Sequence, residues 1–269
     1  MKKVIIICIM VLLLVFAAAV GIGYGIGRAI KSGVNTTSAG ADFKYSNPES
    51  YEMGNAEVSQ KISKITINWV NGEVEVSEYN GSTLTIKDEV VSGTLRDELK
   101  LRWKREGNEI IIQYAEAGKR LDMEGFRKNL VIMVPSSWTL DELNIDVVSA
   151  DSTVTLGAIN EVDWNSVNGK LDIKVDSITK LEGDTVNGDV SLYAAKKGPK
   201  ELDLESVNSD VTISVPFDSS FTLKRNSING TLDSEFSGRI SGSNTFIVGT
   251  GDSDWDIESV NGKVKIKAI

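Results

Sequence analysis

The stretch DWNSVNGKLDIKVDSITKLEGDTVNGDVSLYAAKKGPKELDLESVNSDVTISV, residues 163–215, carries one phrase three times: Val167-Asn168-Gly169, Val186-Asn187-Gly188 and Val207-Asn208-Ser209. Each is followed by alternating apolar positions. The phrase recurs at Val70-Asn71-Gly72, Ile228-Asn229-Gly230 and Val260-Asn261-Gly262. Asn168, Asn187, Asn208 and Asn229 lie 19, 21 and 21 residues apart, too regular for unrelated turns and too short for domains, so each repeat is one unit of a stacked β array.

Counting from each Asn, the residues two, four and six before it share one face of a strand: Trp69, Ile67 and Ile65 in the first repeat, Ser206, Leu204 and Leu202 in the fourth. Beyond the Asn, the apolar positions fall three, five and seven residues on, as in Val211, Ile213 and Val215. Parity flips across Asn-Gly, as a two-residue turn requires if both apolar faces are to stay on one side. Asn and Gly enter left-handed backbone at least cost, so a turn needing positive φ selects them at Asn71, Gly72, Asn168, Gly169, Asn187, Gly188, Asn208, Asn229, Gly230, Asn261 and Gly262. These are structural turn residues. The expected fold is all-β, a parallel β-helix or solenoid with coils of about 20 residues and a ladder of stacked asparagines. An antiparallel meander of Asn-Gly hairpins is the alternative.

Val148-Ser149-Ala150-Asp151 precedes Asn168 by one such spacing and reads as a coil whose Asn-Gly has drifted to Ser-Ala. The longer gap from Asn229 to Asn261 leaves room for an additional turn around Ser237 to Asn244. Between the first repeat and residue 148 the period fails. Leu99, Leu101 and Trp103, then Ile110, Ile112 and Tyr114, flank Arg105-Glu106-Gly107-Asn108 as a hairpin or strand pair, and Leu130 to Val134 is a strand stopped by Pro135.

The chain opens with Lys2 and Lys3 before an uncharged run from Val4 to Gly27, longer than the roughly 20 residues that cross about 30 Å of hydrocarbon. Residues 1–30 are read as one N-terminal transmembrane helix, a membrane anchor. The rival is a signal peptide cleaved near Ala17-Ala18-Ala19, which would leave the protein secreted. Positive charge flanks both ends through Arg28 and Lys31, so orientation rests on the N-terminal lysines and puts the C-terminal part outside the cytoplasm. The glycines at 21, 23, 25 and 27 supply small-xxx-small pairs but no dinucleotide loop. Residues 31–59, without period and rich in Ser, Thr, Asn, Gly and Ala, read as a linker, and 60–269 as the repeat domain.

With no histidine, and Cys8 as the only cysteine, Cys/His zinc sites, Ser-His-Asp or Cys-His catalytic groups and disulfides within the repeats are excluded. The formal charge of −9 argues against nucleic acid as a partner. The basic stretch Arg96 to Lys128 is interleaved with Asp97, Glu98, Glu106, Glu109, Asp122 and Glu124 and reads as a solvated face. Trp69, Trp164 and Trp255 hold core parity rather than forming a sugar-stacking platform, while parity does not place Trp103 and Trp138. Glu73, Asp189, Asp210, Glu205 and Glu258 recur near the turns. At two residues beyond Asn, however, other repeats carry Lys170, Thr231 and Lys263, which marks a solvated outer face rather than an acid/base pair. Gly249-Thr250-Gly251-Asp252 is a turn and no calcium motif.

Asn129-Leu130-Val131-Ile132-Met133-Val134-Pro135, then Leu140 and Leu143-Asn144-Ile145, then a Ser-Ala-Asp or Val-Asn-Gly turn before alternating apolar residues, resembles the bacterial putative-adhesin family of β-strand-repeat domains of unknown function. Val211 to Phe221 repeats the strand-Pro-x-x-x-x-Phe pattern, and Gly249-Thr250-Gly251 before Trp255 and Val260-Asn261-Gly262 is similar to that family's ending. The resemblance spans roughly residues 60–269. It implies a β-solenoid at the bacterial envelope, in some members linked to envelope stress, with no established activity and no functional residues to carry over. The expected protein is a non-catalytic adhesin-like binding or scaffold module without cofactor or metal. Its expected partners are the membrane, through the N-terminal helix, and an envelope protein or cell-wall polymer. The alternatives are a polysaccharide-active enzyme on a β-helix and an accessory of envelope-stress signalling.

Overall fold

The computed structural model describes residues 41–269, so the run from Val4 to Gly27 lies outside the described residues. Among the described residues no helix is long and apolar enough to cross a membrane. They form an all-β body. The long strands Lys64–Tyr79, Leu140–Asn168 and Leu171–Asn187 each run through or up to a repeat Asn, and each pairs with its equivalent one repeat away.

The pairing between repeats is parallel and in register: Val154 lies opposite Ile173, Trp164 opposite Gly183 and Asn168 opposite Asn187. That excludes the antiparallel meander for the repeats. The strands Leu171–Asn187, Val190–Lys197, Val211–Val215, Asp254–Ala268 and Glu201–Asn208 close a ring of five parallel strands, because the longest of them turn the corner and pair on both sides of it. Additional strands continue the stack on either side.

Spatial order departs from chain order at both ends. Lys64–Tyr79 lies between Leu140–Asn168 on one side and the later strands Glu109–Gln113 and Arg127–Pro135 on the other. At the opposite end the C-terminal strand Asp254–Ala268 inserts between Glu201–Asn208 with Val211–Val215 and the earlier strand Phe221–Ser234. Both outermost coils therefore come from inside the sequence, and each carries antiparallel strands. Leu84–Ser92 and Arg102–Glu106 flank the N-terminal one, the latter as the expected hairpin with Glu109–Gln113. Thr245–Val248 and Arg239–Ser241 flank the C-terminal one, and the additional turn expected around Ser237 to Asn244 is this hairpin.

The core is the space enclosed by the coils, filled by the inward parity read from the sequence. Ile65, Ile67, Leu143, Ile145, Val162, Leu181, Leu202, Leu204 and Ile257 are all buried. Trp69, Trp164 and Trp255 join them, and each indole N–H finds an acceptor: Lys128 O at 3.1 Å, Ser152 Oγ at 3.3 Å and Pro199 O at 2.9 Å. Gly183 sits opposite Trp164, where a Cβ would stand 3.0 Å from the Trp164 carbonyl oxygen and 3.1 Å from Leu204 Cδ2, so the coils pack closely at this position. Part of the stretch read as linker packs on this body. Phe43 and Val58 are buried, and Glu52–Met53 and Ala56–Val58 pair with the N-terminal antiparallel strands.

The Asn-Gly positions behave differently from the expected left-handed turn. The repeat asparagines do not adopt positive φ, and of the repeat glycines only Gly72 (φ 103°) and Gly262 (φ 150°) do. Glycine is required instead by the approach of the neighbouring coil. A Cβ would lie 2.1 Å from the Ala150 oxygen at Gly169, 1.7 Å from the Gly169 oxygen at Gly188 and 1.9 Å from the Ser209 oxygen at Gly262. The chain bends here while staying hydrogen-bonded between coils: Gly169 N–H donates to Asn187 O and Ser209 N–H to Asn261 O, both at 3.1 Å.

Candidate functional site

The corners hold the expected asparagine ladder, in spatial rather than chain order. Asn187 Nδ2 donates to Asn168 Oδ1 at 3.0 Å, Asn208 to Asn187 at 2.9 Å, Asn261 to Asn208 at 2.8 Å and Asn229 to Asn261 at 3.0 Å. Asn71 stands apart because the next corner carries Ser149. Its amide donates to Phe126 O at 3.0 Å and its carbonyl accepts from Tyr114 Oη at 2.7 Å. A second ladder lies two residues beyond the corner. Asp151 Oδ1 accepts from Lys170 N, Asp189 from Asp210 N and Asp210 from Lys263 N, at 2.9, 3.1 and 2.7 Å. Asp189 and Asp210, read as solvated, thus bind the backbone of the next coil. Both ladders use polar atoms on the stack itself.

The outward positions three and five residues before each corner are different. In-register pairing sets Asp184 beside Glu205 and Glu205 beside Glu258 in one column, and Asp163, Glu182, Asp203 and Asp256 in the next. Like charges directly opposite one another across strands repel. Burial, then neighbouring carboxylates, push Asp184 up to about 6 and Glu205 up to about 7. The same causes raise Asp256 to about 6 and hold Asp163 and Asp203 above their ordinary range. Burial also raises Asp146 to about 6, against the hydrogen bond it accepts from Asn165 Nδ2 at 2.9 Å. Opposing charge sits at the margins. Lys180 pairs with Glu161 at 2.9 Å and Glu182 at 2.8 Å, bonds that raise its own pKa, and Lys224 stands next to Asp256 in register. A shallow cleft between them is lined by Lys180, Glu182, Leu202, Asp203, Lys224 and Asp256.

This face brings Glu205 and Glu258 side by side. The sequence singles out both but not their neighbours, because the signal lies in outward residues that become adjacent only once the coil register is known. Among the described residues no group of three or more His, Cys, Asp or Glu side chains is placed to hold a metal ion.

A second unusual group lies inside the N-terminal end. Lys128 is fully buried, with Nζ 2.8 Å from Asp88 Oδ2 and 2.6 Å from Leu99 O, and 4.8 and 4.7 Å from the ring centres of Trp69 and Tyr114. Burial lowers its pKa to about 8 against the pull of Asp88, and burial raises that of Tyr114. Its contacts are all internal, so the group joins the antiparallel strands to the first coils.

No family model matches the chain. No curated protein matches it either. Among solved structures it is similar to a putative cell adhesion protein from Clostridium sporogenes, at 12% identity and TM-score 0.47, covering 81% of this chain and 100% of that one. It is also similar to a putative adhesin from Bacteroides fragilis, at 11% identity and TM-score 0.40, covering 80% and 97%. A third similar structure, at 12% identity and TM-score 0.33 and covering 81% and 97%, is named a putative lipid binding protein from Parabacteroides distasonis.

Proposed function

We propose that this chain is a non-catalytic envelope protein, anchored through residues 4–27 with its repeats outside the cytoplasm, in which a β-solenoid serves as an adhesin-like binding scaffold. The observation that carries this reading is the acidic outer face. Stacked carboxylates cost folding free energy where they repel one another, and a local cost retained in a regular scaffold is characteristic of functional surfaces. At neutral pH such a face gains most from cationic groups on an envelope protein or cell-wall polymer. To test it, the full chain in detergent is immobilised and exposed to isolated cell-wall polymer and to solubilised envelope proteins, beside a variant carrying Asp184→Asn, Asp203→Asn and Glu205→Gln. The reading expects specific capture that the variant loses. Capture of nothing, or equal capture by both proteins, contradicts it.

A second reading, a polysaccharide-active enzyme, is favoured by Glu205 alone, whose raised pKa of about 7 beside Glu258 suits a general acid. Release of reducing ends from cell-wall glycans that Glu205→Gln abolishes would establish it over the first.

A further inference from the structure

The two ends of the stack are finished differently. At the N-terminal end both arms of the outermost coil are covered, Glu109–Gln113 by Arg102–Glu106 and Arg127–Pro135 by Leu84–Ser92. At the C-terminal end only the first arm is covered. Phe221 to Lys224 pair with Thr245–Val248, and Arg239–Ser241 adds a further strand above that. Among the described residues the second arm, Thr231 to Ser234, is paired on one side only, to Asp254–Ala268. Among the described residues the end therefore has the profile of a step two strands high beside a notch.

The apolar side chains match this profile. Ile240 lies opposite Phe246, the residue on its hairpin that packs against the core, and so shares its inward face, yet Ile240 is 78% exposed. Leu232 and Phe236 also pack against the core and are only half-buried, and Ile228 at the corner is 51% exposed. Among the described residues the outermost apolar layer on this side, over the buried Val264 and Ile266, is only half-covered, and an unpaired strand edge beside it invites pairing.

We infer that this end docks a second, inverted copy of the same chain. A two-fold axis places the step of one copy in the notch of the other, so that Arg239–Ser241 of each pairs beside Thr231 to Ser234 of its mate and the contact closes on itself. The charges agree with that exchange. Arg239 lies on the outward face of its strand, opposite Ile247, while the notch offers Asp233 on its outward face, with Glu235 following. Asp233 pairs with Lys263 Nζ at 3.2 Å, and Glu235 accepts from the Ala268 N–H at 3.1 Å, which leaves both carboxylates with oxygen lone pairs to offer an incoming guanidinium. In the dimer Ile240 comes over Leu232 of its mate and that half-covered apolar layer is sealed. The two-fold contact uses the C-terminal end of both copies, so association stops at two.

Sedimentation of the full chain in density-matched detergent tests this. A dimer is expected. Ile240→Asp, at a position too exposed to be needed for folding, should leave a folded monomer. Arg239→Glu should raise the dissociation constant about tenfold, and adding Asp233→Lys to it should restore the wild-type value. A wild-type chain that stays monomeric up to ~0.1 mM would overturn the inference, and that includes the case in which a segment of its own chain fills the notch. So would a dimer indifferent to Ile240→Asp and Arg239→Glu, as pairing through residues 4–27 alone would give.

Discussion

At the repeat glycines the neighbouring coil makes the common demand, close approach, and positive φ joins it only at Gly72 and Gly262. At Gly188 a methyl group would meet the Gly169 oxygen at 1.7 Å, so Gly188→Ala must push two coils apart. It should cost about 1–3 kcal/mol in denaturant unfolding. Ser209→Ala at the equivalent corner should be neutral within about 0.5 kcal/mol, since that level already carries a Cβ and the Ser209 hydroxyl is buried without a partner. Asn187→Ala removes one donated and one accepted ladder bond and should cost about 1–2 kcal/mol by the same measurement. The sequence marks these positions plainly, because the spacing from Asn168 to Asn229 is regular and the parity around each Asn holds. It does not show why glycine is there. A residue needed for positive φ and one needed for close approach look alike until the neighbouring carbonyl is placed.

Among the elements, the repeating strands are readable in the sequence and the ends of the stack are not. Inward parity predicts the buried rows, including the three tryptophans. The hairpin around Arg105 to Asn108 is legible from its alternation. Which strand lies next to which is another matter, because Asn208 could ladder as well with Asn229 as with Asn261. The longer gap before Asn261 is the one hint of the insertion. At the N-terminal end the tie between strands is the buried pair of Lys128 and Asp88, 2.8 Å apart. Lys128→Met, which leaves the Asp88 carboxylate buried without its cation, should cost about 3–5 kcal/mol, and adding Asp88→Asn should recover most of that loss. The amide introduced at position 88 would still offer Leu101 N–H the acceptor it now has in the Asp88 carboxylate, so the rescue isolates the charge.

On the scale of the whole molecule, stacking in register converts scattered Asp and Glu residues into one acidic face, with a consequence for stability. Asp146, Asp184, Glu205 and Asp256 have folded pKa values of about 6 to 7, raised by burial and crowding, against unfolded values near 4. The folded state therefore holds protons more tightly. The stability this contributes is present at low pH and is lost as pH rises through about 6 to 7. The melting temperature should rise by a few degrees between pH 7.5 and pH 5, and Glu205→Gln should raise it at pH 7.5 while changing little at pH 5. Calorimetry across that range checks both. The acidic face, the open end and the asparagine ladder all depend on one claim, that the C-terminal coil sits inside the stack. With Cys8→Ser as background, cysteines at 208 and 261 should join in a disulfide under mild oxidation, while cysteines at 208 and 229 should stay free. A disulfide between 208 and 229 and none between 208 and 261 would mean that the coils stack in chain order, and would contradict the account.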